Sequence, residues 1–331
     1  MTIKEFDVVG IGNAIVDVLY HSEDSFLEKH GLIKGSMSII DSETANRLYN
    51  FLDVSVESSG GSAANTIASL AAVGGSGAFI GKVCRDQLGE VFTNDIRQAG
   101  VTYHTLPLEE GHSTARCLIY VTPDAERTMQ TFLGACTALC SDDIDENIIS
   151  ASKIVYLEGY LFDPPEAKLA FIKACELAKK ANRKVALSLS DAFCVDRHRQ
   201  AFLDLVFNHV DILFSNEDEI KSLFQVESFD EAAEKIRGNC DVAALTRGAN
   251  GSVIIQGDQT FVLSAADVVD VVDTTGAGDS YAAGFLYGFT QGKSIEVCGK
   301  MGGILAADII SGYGARSKNN LKDLLSKKLY G

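Results

Sequence analysis

Short apolar runs return at intervals along this chain, each followed by a stretch with helical periodicity. Residues 6–12, 77–83, 153–158, 184–189, 210–214 and 241–246 are rich in aliphatic side chains with little polar alternation, the pattern of strands covered on both faces. Helical stretches follow over 62–73, 86–99, 164–182, 196–208 and 217–238, and Gly100 gives the second of these a left-handed stop. This strand-then-helix order predicts parallel strands joined by right-handed crossovers, with helices on both faces. The expected fold class is α/β, three layers around a mainly parallel sheet.

Two segments break the rhythm. Residues 14–45 and about 103–133 carry alternating short strands, best accounted for as a small β-sheet lid built from two excursions of the chain. Residues 252–255 and 260–263, around Gly257 and Asp258, predict a hairpin at an antiparallel edge. With no internal repeat or low-complexity linker, residues 1–331 read as a single domain with the lid inside it.

Composition narrows the function classes. A formal net charge of −16 repels phosphodiester backbones and anionic lipid, so nucleic acid and membrane are poor partners. No apolar run is long enough to span a bilayer, and no charged-then-apolar leader opens the chain. The 8 cysteines show neither paired CxxC spacing nor nearby histidines, which predicts reduced thiols in a cytoplasmic setting. Small-molecule chemistry remains.

The most informative stretch is Asp273-Thr-Thr-Gly-Ala-Gly-Asp279, followed by a small-residue helical run. A glycine turn at a helix N-terminus exposes backbone N–H groups where the dipole favours negative charge. Asp279 just inside an anion site suits a proton acceptor for a hydroxyl attacking phosphorus; the plainer alternative is a capped helix start. A second glycine pair, Gly60-Gly61, opens another helix, with Asn65 one turn in as donor and acceptor. The plainer reading there is a tight turn with an N-cap serine.

After the first strand, Gly10-Ile-Gly-Asn13 imitates a dinucleotide fingerprint, but Ile15 stands where glycine or alanine is needed. Asn13 and Asp17 suit the vicinal hydroxyls of a sugar better than pyrophosphate. Asn216 and Glu219 fit a capping box, or else a carboxylate facing a hydrated Mg²⁺ and phosphates. Thr246 and Gly248 end another strand, as a simple turn or close to a nucleotide.

Together, the 60–75 and 273–284 stretches, with Asn216 and Glu219 between them, resemble the two signatures and the N-x-x-E motif of the PfkB/ribokinase family of carbohydrate and nucleoside kinases. The resemblance spans nearly the whole chain. It implies a ribokinase-like, Rossmann-like core, a β lid over the acceptor, and ATP with Mg²⁺ on the C-terminal half. Asp279 would be the general base, and Gly276, Ala277 and Gly278 the anion hole. Asn13, Asp17, Gly61 and Asn65 would hold sugar hydroxyls. Asn216, Glu219, Thr246 and Gly248 would serve ATP, with Glu219 reaching Mg²⁺ through water. Carbonyls around Asp273, Thr275 and Gly314 would hold an activating K⁺. The assembly would be a monomer or a homodimer.

Within the family, residues 187–193, 210–219 and 124–135 look more like the adenosine-kinase branch than like ribokinases or fructokinases. Met37, Ile39, Met129 and Leu133, with Tyr160, would then sandwich a purine; singly, each reads equally well as ordinary core. Met37 stands where that branch usually carries a polar residue. The expected reaction is transfer of the ATP γ-phosphoryl group to the 5′-hydroxyl of a purine nucleoside, adenosine first. The alternatives are inosine or guanosine, or a sugar such as ribose or fructose.

Overall fold

The computed structural model describes residues 5–52, 56–124 and 126–330. Its strands, in chain order, are β1 (Phe6–Ile11), β2 (Ile15–His21), β3 (Met37–Ile39), β4 (Val56–Gly60), β5 (Gly77–Ile80), β6 (Thr102–Tyr103) and β7 (Ala115–Val121). They continue as β8 (Arg127–Phe132), β9 (Ser152–Glu158), β10 (Lys184–Ser188), β11 (Ile212–Asn216), β12 (Val242–Thr246), β13 (Ser252–Gln256) and β14 (Gln259–Leu263). Nine of them form one sheet in the order β14-β13-β12-β11-β10-β9-β1-β5-β6. From β12 to β6 every neighbouring pair is parallel; β13 and β14 form the antiparallel edge. Every residue of β1 and β5 is buried, as continuous apolar runs between two helical layers require. The α/β expectation, with its mainly parallel sheet and its hairpin edge, holds.

A second sheet has the order β3-β8-β7-β2-β4. Alternation sorts its side chains into two faces. Val16, Val18, Leu118 and Tyr120 join the core shared with Leu27 and Leu48. Ile15, Leu19, Cys117, Ile119 and Met129 cluster on the opposite face. Asp17 pairs with Cys117, Met129 with Ile119 and Met37 with Met129, so Asp17, Met37 and Arg127 share that second face.

Three details differ from the sequence expectation. The small sheet takes a further strand, β4, beyond the 14–45 and 103–133 excursions, and β6 belongs to the large sheet. The expected helix over 217–238 is two helices, Glu217–Phe224 and Phe229–Ile236; Gln225, at φ 53°, closes the first. The Ala192–His209 segment starts earlier than expected, where Asp191 accepts from the N–H groups of Phe193 and Cys194, and it is two helical pieces joined at a kink at His198 (φ −121°). All eight cysteines are free thiols. No helix among the described residues is long and apolar enough to cross a membrane.

Candidate active site

Parallel strands deliver their carboxyl ends to one edge of the sheet, where ligands of open α/β folds bind. Here that edge carries Asn13 just beyond β1, and Glu158, Asn216 and Thr246 at the ends of β9, β11 and β12. Two glycine turns start helices beside it. Gly61, at φ 96°, precedes the Ser62–Ala72 helix, and a Cβ there would stand 2.1 Å from the Asn13 carbonyl oxygen. Gly276, at φ 77°, precedes the Ala277–Thr290 helix, and a Cβ there would stand 2.9 Å from Ala315. Only glycine meets both demands. The two helices pack together, and the Ser62 hydroxyl donates to Asp279 Oδ1 at 2.6 Å.

The Asp273 carboxylate shapes the second turn. Its Oδ1 accepts from Thr275 N–H at 3.0 Å and its Oδ2 from Gly314 N–H at 2.8 Å. Arg127 Nη2 stands 2.9 Å from the same Oδ2, an ion pair not aligned as a hydrogen bond, so Nε and Nη2 of this buried guanidinium have no hydrogen-bonding partner. Ala277 N–H donates to the Thr274 carbonyl at 3.2 Å, which removes it from the free donors expected there. A Cβ at Gly278 would meet nothing within 4 Å, so space opens directly over the first helical turn. Orphan N–H groups, a helix dipole and an unsaturated guanidinium make this a place for a multiply charged anion.

Asp279 follows Gly278 directly and is half-buried. Burial pushes its pKa up to about 7; the Ser62 hydroxyl and the Asn65 side chain pull it back, and the charge of Asp17 adds to the rise. Such a carboxylate can take up a proton near neutral pH. Asn65 is buried with Oδ1 unpartnered, so it presents an acceptor that the protein leaves unmet. Asp17 is pushed up to about 6 by burial, with Arg316 and Arg127 opposing.

Glu158 is missing from the sequence-based set and lies at its centre. It is 1% exposed, and Oε1 accepts from Asn13 Nδ2 at 2.7 Å and from Asn13 N–H at 3.3 Å. Its Oε2 accepts from Ala63 N–H at 2.7 Å, and burial raises its pKa to about 7. One carboxylate thus ties the end of β1 to the start of the Ser62–Ala72 helix. In sequence it is only the last residue of an apolar strand.

Of the other expected residues, Asn216 and Glu219 form the capping box. Asn216 Nδ2 donates to Glu219 Oε1 at 2.6 Å, Asn216 N–H to Oε2 at 2.9 Å, and Glu219 N–H to Asn216 Oδ1 at 2.9 Å. Both Glu219 oxygens are therefore engaged, and burial raises its pKa to about 7. Thr246 pairs with Asn216 across β11 and β12, and Gly248 follows in a short 3₁₀ turn. Tyr160 is 39% exposed, so the core reading fails for it; partial burial and then the charges of Asp191, Glu219, Asp279 and Glu158 raise its pKa. Met37 and Ile39 are 51% and 58% exposed on edge strand β3, which excludes the core reading for those two. Met129 is half-buried beside them on β8, and Leu133 lies beyond that strand at the start of a 3₁₀ turn. No cluster of three or more His, Cys, Asp or Glu among the described residues could cage a metal.

The fold as a whole has close counterparts. An adenosine kinase from Sinorhizobium meliloti superposes with a TM-score of 0.90 at 46% identity, covering 98% of this chain and 99% of that one. A probable sugar kinase protein from Rhizobium etli does so with a TM-score of 0.90 at 44% identity, over 98% and 99%. An adenosine kinase of Saccharomyces cerevisiae is 26% identical over 91% of this chain and 93% of its own. Residues 54–322 match the family model for pfkB family carbohydrate kinases. That match covers most of the chain and takes in both glycine turns, the capping box and the carboxylate over the anion turn, so this protein is a nucleoside or sugar kinase belonging to the pfkB family.

Proposed function

We propose that the protein transfers the γ-phosphoryl group of ATP to the 5′-hydroxyl of a purine nucleoside, adenosine first. The carrying observation is Asp279: a half-buried carboxylate with pKa raised to about 7, hydrogen-bonded to Ser62 and next in the chain to Gly278, over which space opens. As the hydroxyl oxygen bonds to the γ-phosphorus, the bond to the ADP oxygen breaks and Asp279 takes the hydroxyl proton. N–H groups of Gly278 and Asp279 and the Arg127 guanidinium offset the charge gathering on the transferring group.

Asn13, Asp17, Gly61 and Asn65 hold the ribose. The Asn65 Oδ1, which lacks a protein partner, supports this. Met37, Met129 and Leu133 with Tyr160 enclose the base, and the shared face of Met37, Met129 and Asp17 supports the lid reading. The small sheet is thus the lid of a single kinase domain; its closure would exclude water that otherwise hydrolyses ATP. ATP lies along Asn216, Glu219, Thr246 and Gly248.

Mg²⁺ supplies charge neutralisation on the phosphates when bound with the nucleotide. Both Glu219 oxygens already accept from Asn216, which favours contact with such an ion through water. The Asp273 side chain is spent on Thr275, Gly314 and Arg127, so a K⁺ here would use the main-chain carbonyls of Asp273 and Thr275. The unpaired cysteines accord with a cytoplasmic setting.

ADP release with ATP and Mg²⁺ tests the reading, comparing adenosine, inosine, guanosine, ribose and fructose at equal concentration. Strong adenosine-dependent release is expected. Release with a sugar alone would retain Asp279 and discard the purine lid. No release with any acceptor, with and without K⁺, would overturn the assignment.

A further inference from the structure

The chain beyond the Ile295–Ile310 helix touches both halves of the site. Gly314 N–H holds Asp273 Oδ2 at 2.8 Å, and Ala315 lies 2.9 Å from where a Gly276 Cβ would stand, so residues 313–316 are keyed to the anion turn. Arg316, the next residue, reaches the other way. Its Nη1 donates to Asp95 Oδ2 at 3.0 Å and its Nη2 to Ser59 Oγ at 2.5 Å. Ser59 in turn donates to Asp95 Oδ2, from N–H at 2.8 Å and from Oγ at 2.5 Å. Ser59 belongs to β4, the strand paired with β2 where Asp17 sits opposite Ser58. A Cβ on Gly60 would stand 2.3 Å from Asp17 Oδ2, so the Asp17 carboxylate rests on the strand that Arg316 and Asp95 hold.

We propose that Arg316 is a positioning residue of the acceptor site, bracing β4 and the Asp17 carboxylate that lies on it at a fixed distance from the turn before Asp279. This rests on the reading of Asp17 as a partner of the acceptor's hydroxyls. A guanidinium suits the task, because its planar fork bonds two groups at once and stays charged when partly buried. Asp17 feels the charges of Arg316 from this segment and Arg127 from β8, and its own charge raises the pKa of Cys117 on β7, its cross-strand neighbour, and of Asp279 on the Ala277–Thr290 helix. The two arginines oppose the effect of burial on Asp17, so Arg316 also helps keep it ionised. The chain thereby couples the distance between acceptor and anion turn to one side chain outside both sequence signatures.

The test compares Arg316→Met and Arg316→Lys with wild type, reading KM for adenosine, KM for ATP, kcat, and the pH dependence of kcat/KM for adenosine. Arg316→Met is expected to raise the adenosine KM about tenfold or more, the scale of a buried partner lost. The KM for ATP should stay within about twofold. The Asp17 step of the acidic limb, near 6 and below the Asp279 step near 7, should move to higher pH. Arg316→Lys should restore the position of that limb and only part of the KM. A lower melting temperature with adenosine KM and limb unmoved would overturn the proposal, leaving Arg316 a structural tie.

Should Arg316→Met not fold, Ser59→Ala decides. It removes the bridging hydroxyl and leaves the charge, so adenosine KM should rise with the limb in place; an unchanged KM overturns the brace. Asp17→Asn separates the underlying reading. If it leaves adenosine KM unchanged, Asp17 does not hold the acceptor, and the proposal falls with that reading. If it raises KM while Arg316→Met and Ser59→Ala do not, only the brace is lost.

Discussion

A carboxylate beside a phosphoryl group about to move is electrostatically unwelcome unless it is protonated or takes a proton during the reaction. Asp279 is placed for the second. Its raised pKa comes first from burial, and the Ser62 and Asn65 hydrogen bonds keep the charged form accessible near neutrality. Asp279→Asn keeps the shape and the Ser62 contact but removes the proton acceptor. The kcat should fall by at least about 10²-fold, while adenosine binding measured by titration calorimetry stays near normal. A fully active variant would remove Asp279 from the chemistry. The working form is the deprotonated one, so kcat/KM of the wild type should rise with pH through about 7 and then level. In the variant, the residual rate should lose that limb. A wild-type profile flat through this range would mean that Asp279 titrates elsewhere or does not act as base.

At the scale of elements, the two glycines of the anion turn separate folding from function. Gly276 holds a left-handed conformation against Ala315, so Gly276→Ala adds both backbone strain and a collision. The strain alone is about 1–2 kcal/mol, and in a chain of 331 residues the melting temperature should drop by at least about 1.5–3 °C. Gly278 has ordinary backbone and empty space around it. Gly278→Val should therefore melt within about 1–2 °C of wild type, yet lose roughly tenfold or more in kcat, because its side chain fills the space above the donors. Equal losses of stability in both variants would favour a bland turn.

This turn was legible in sequence because its chemistry is local: glycines, a helix start and a carboxylate within seven residues. The parallel sheet was legible for the same reason, each apolar strand announcing its own burial. β4 was not, since Val56-Glu-Ser-Ser-Gly60 carries a single apolar side chain and becomes a strand only by pairing with β2. Glu158 was hidden too, for its partners Asn13 and Ala63 lie 145 and 95 residues away. The Asn216–Glu219 spacing allowed a structural and a functional reading at once, and the three hydrogen bonds show that the capping box is formed.

On the scale of the whole molecule, the site gathers buried and half-buried acid in a protein already carrying a formal charge of −16. Asp279, Glu158 and Glu219 are each raised to about 7 and Asp17 to about 6, burial being the first cause in every case. In the unfolded chain these groups titrate near 3.8 for Asp and 4.5 for Glu. Between those values and about 7 the folded protein therefore binds more protons than the unfolded one, so stability must fall as pH rises through that window. The folded state gains from these groups only while they are protonated, and that gain is lost as pH passes their folded pKa values. The ligand-free enzyme should show a falling melting temperature between about pH 5 and 8, the opposite of what salt-bridged surface carboxylates produce. Neutralising one member should relieve the strain. Asp279→Asn, nearly inactive, should be more stable than wild type at about pH 8, by up to a few kcal/mol, and the two should converge toward about pH 5. Chemical denaturation at several pH values measures both slopes. A wild-type stability that rises across this window, with no gain from the asparagine, would mean that the carboxylates ionise freely in the folded protein; the charge needed for proton transfer would then carry no folding penalty.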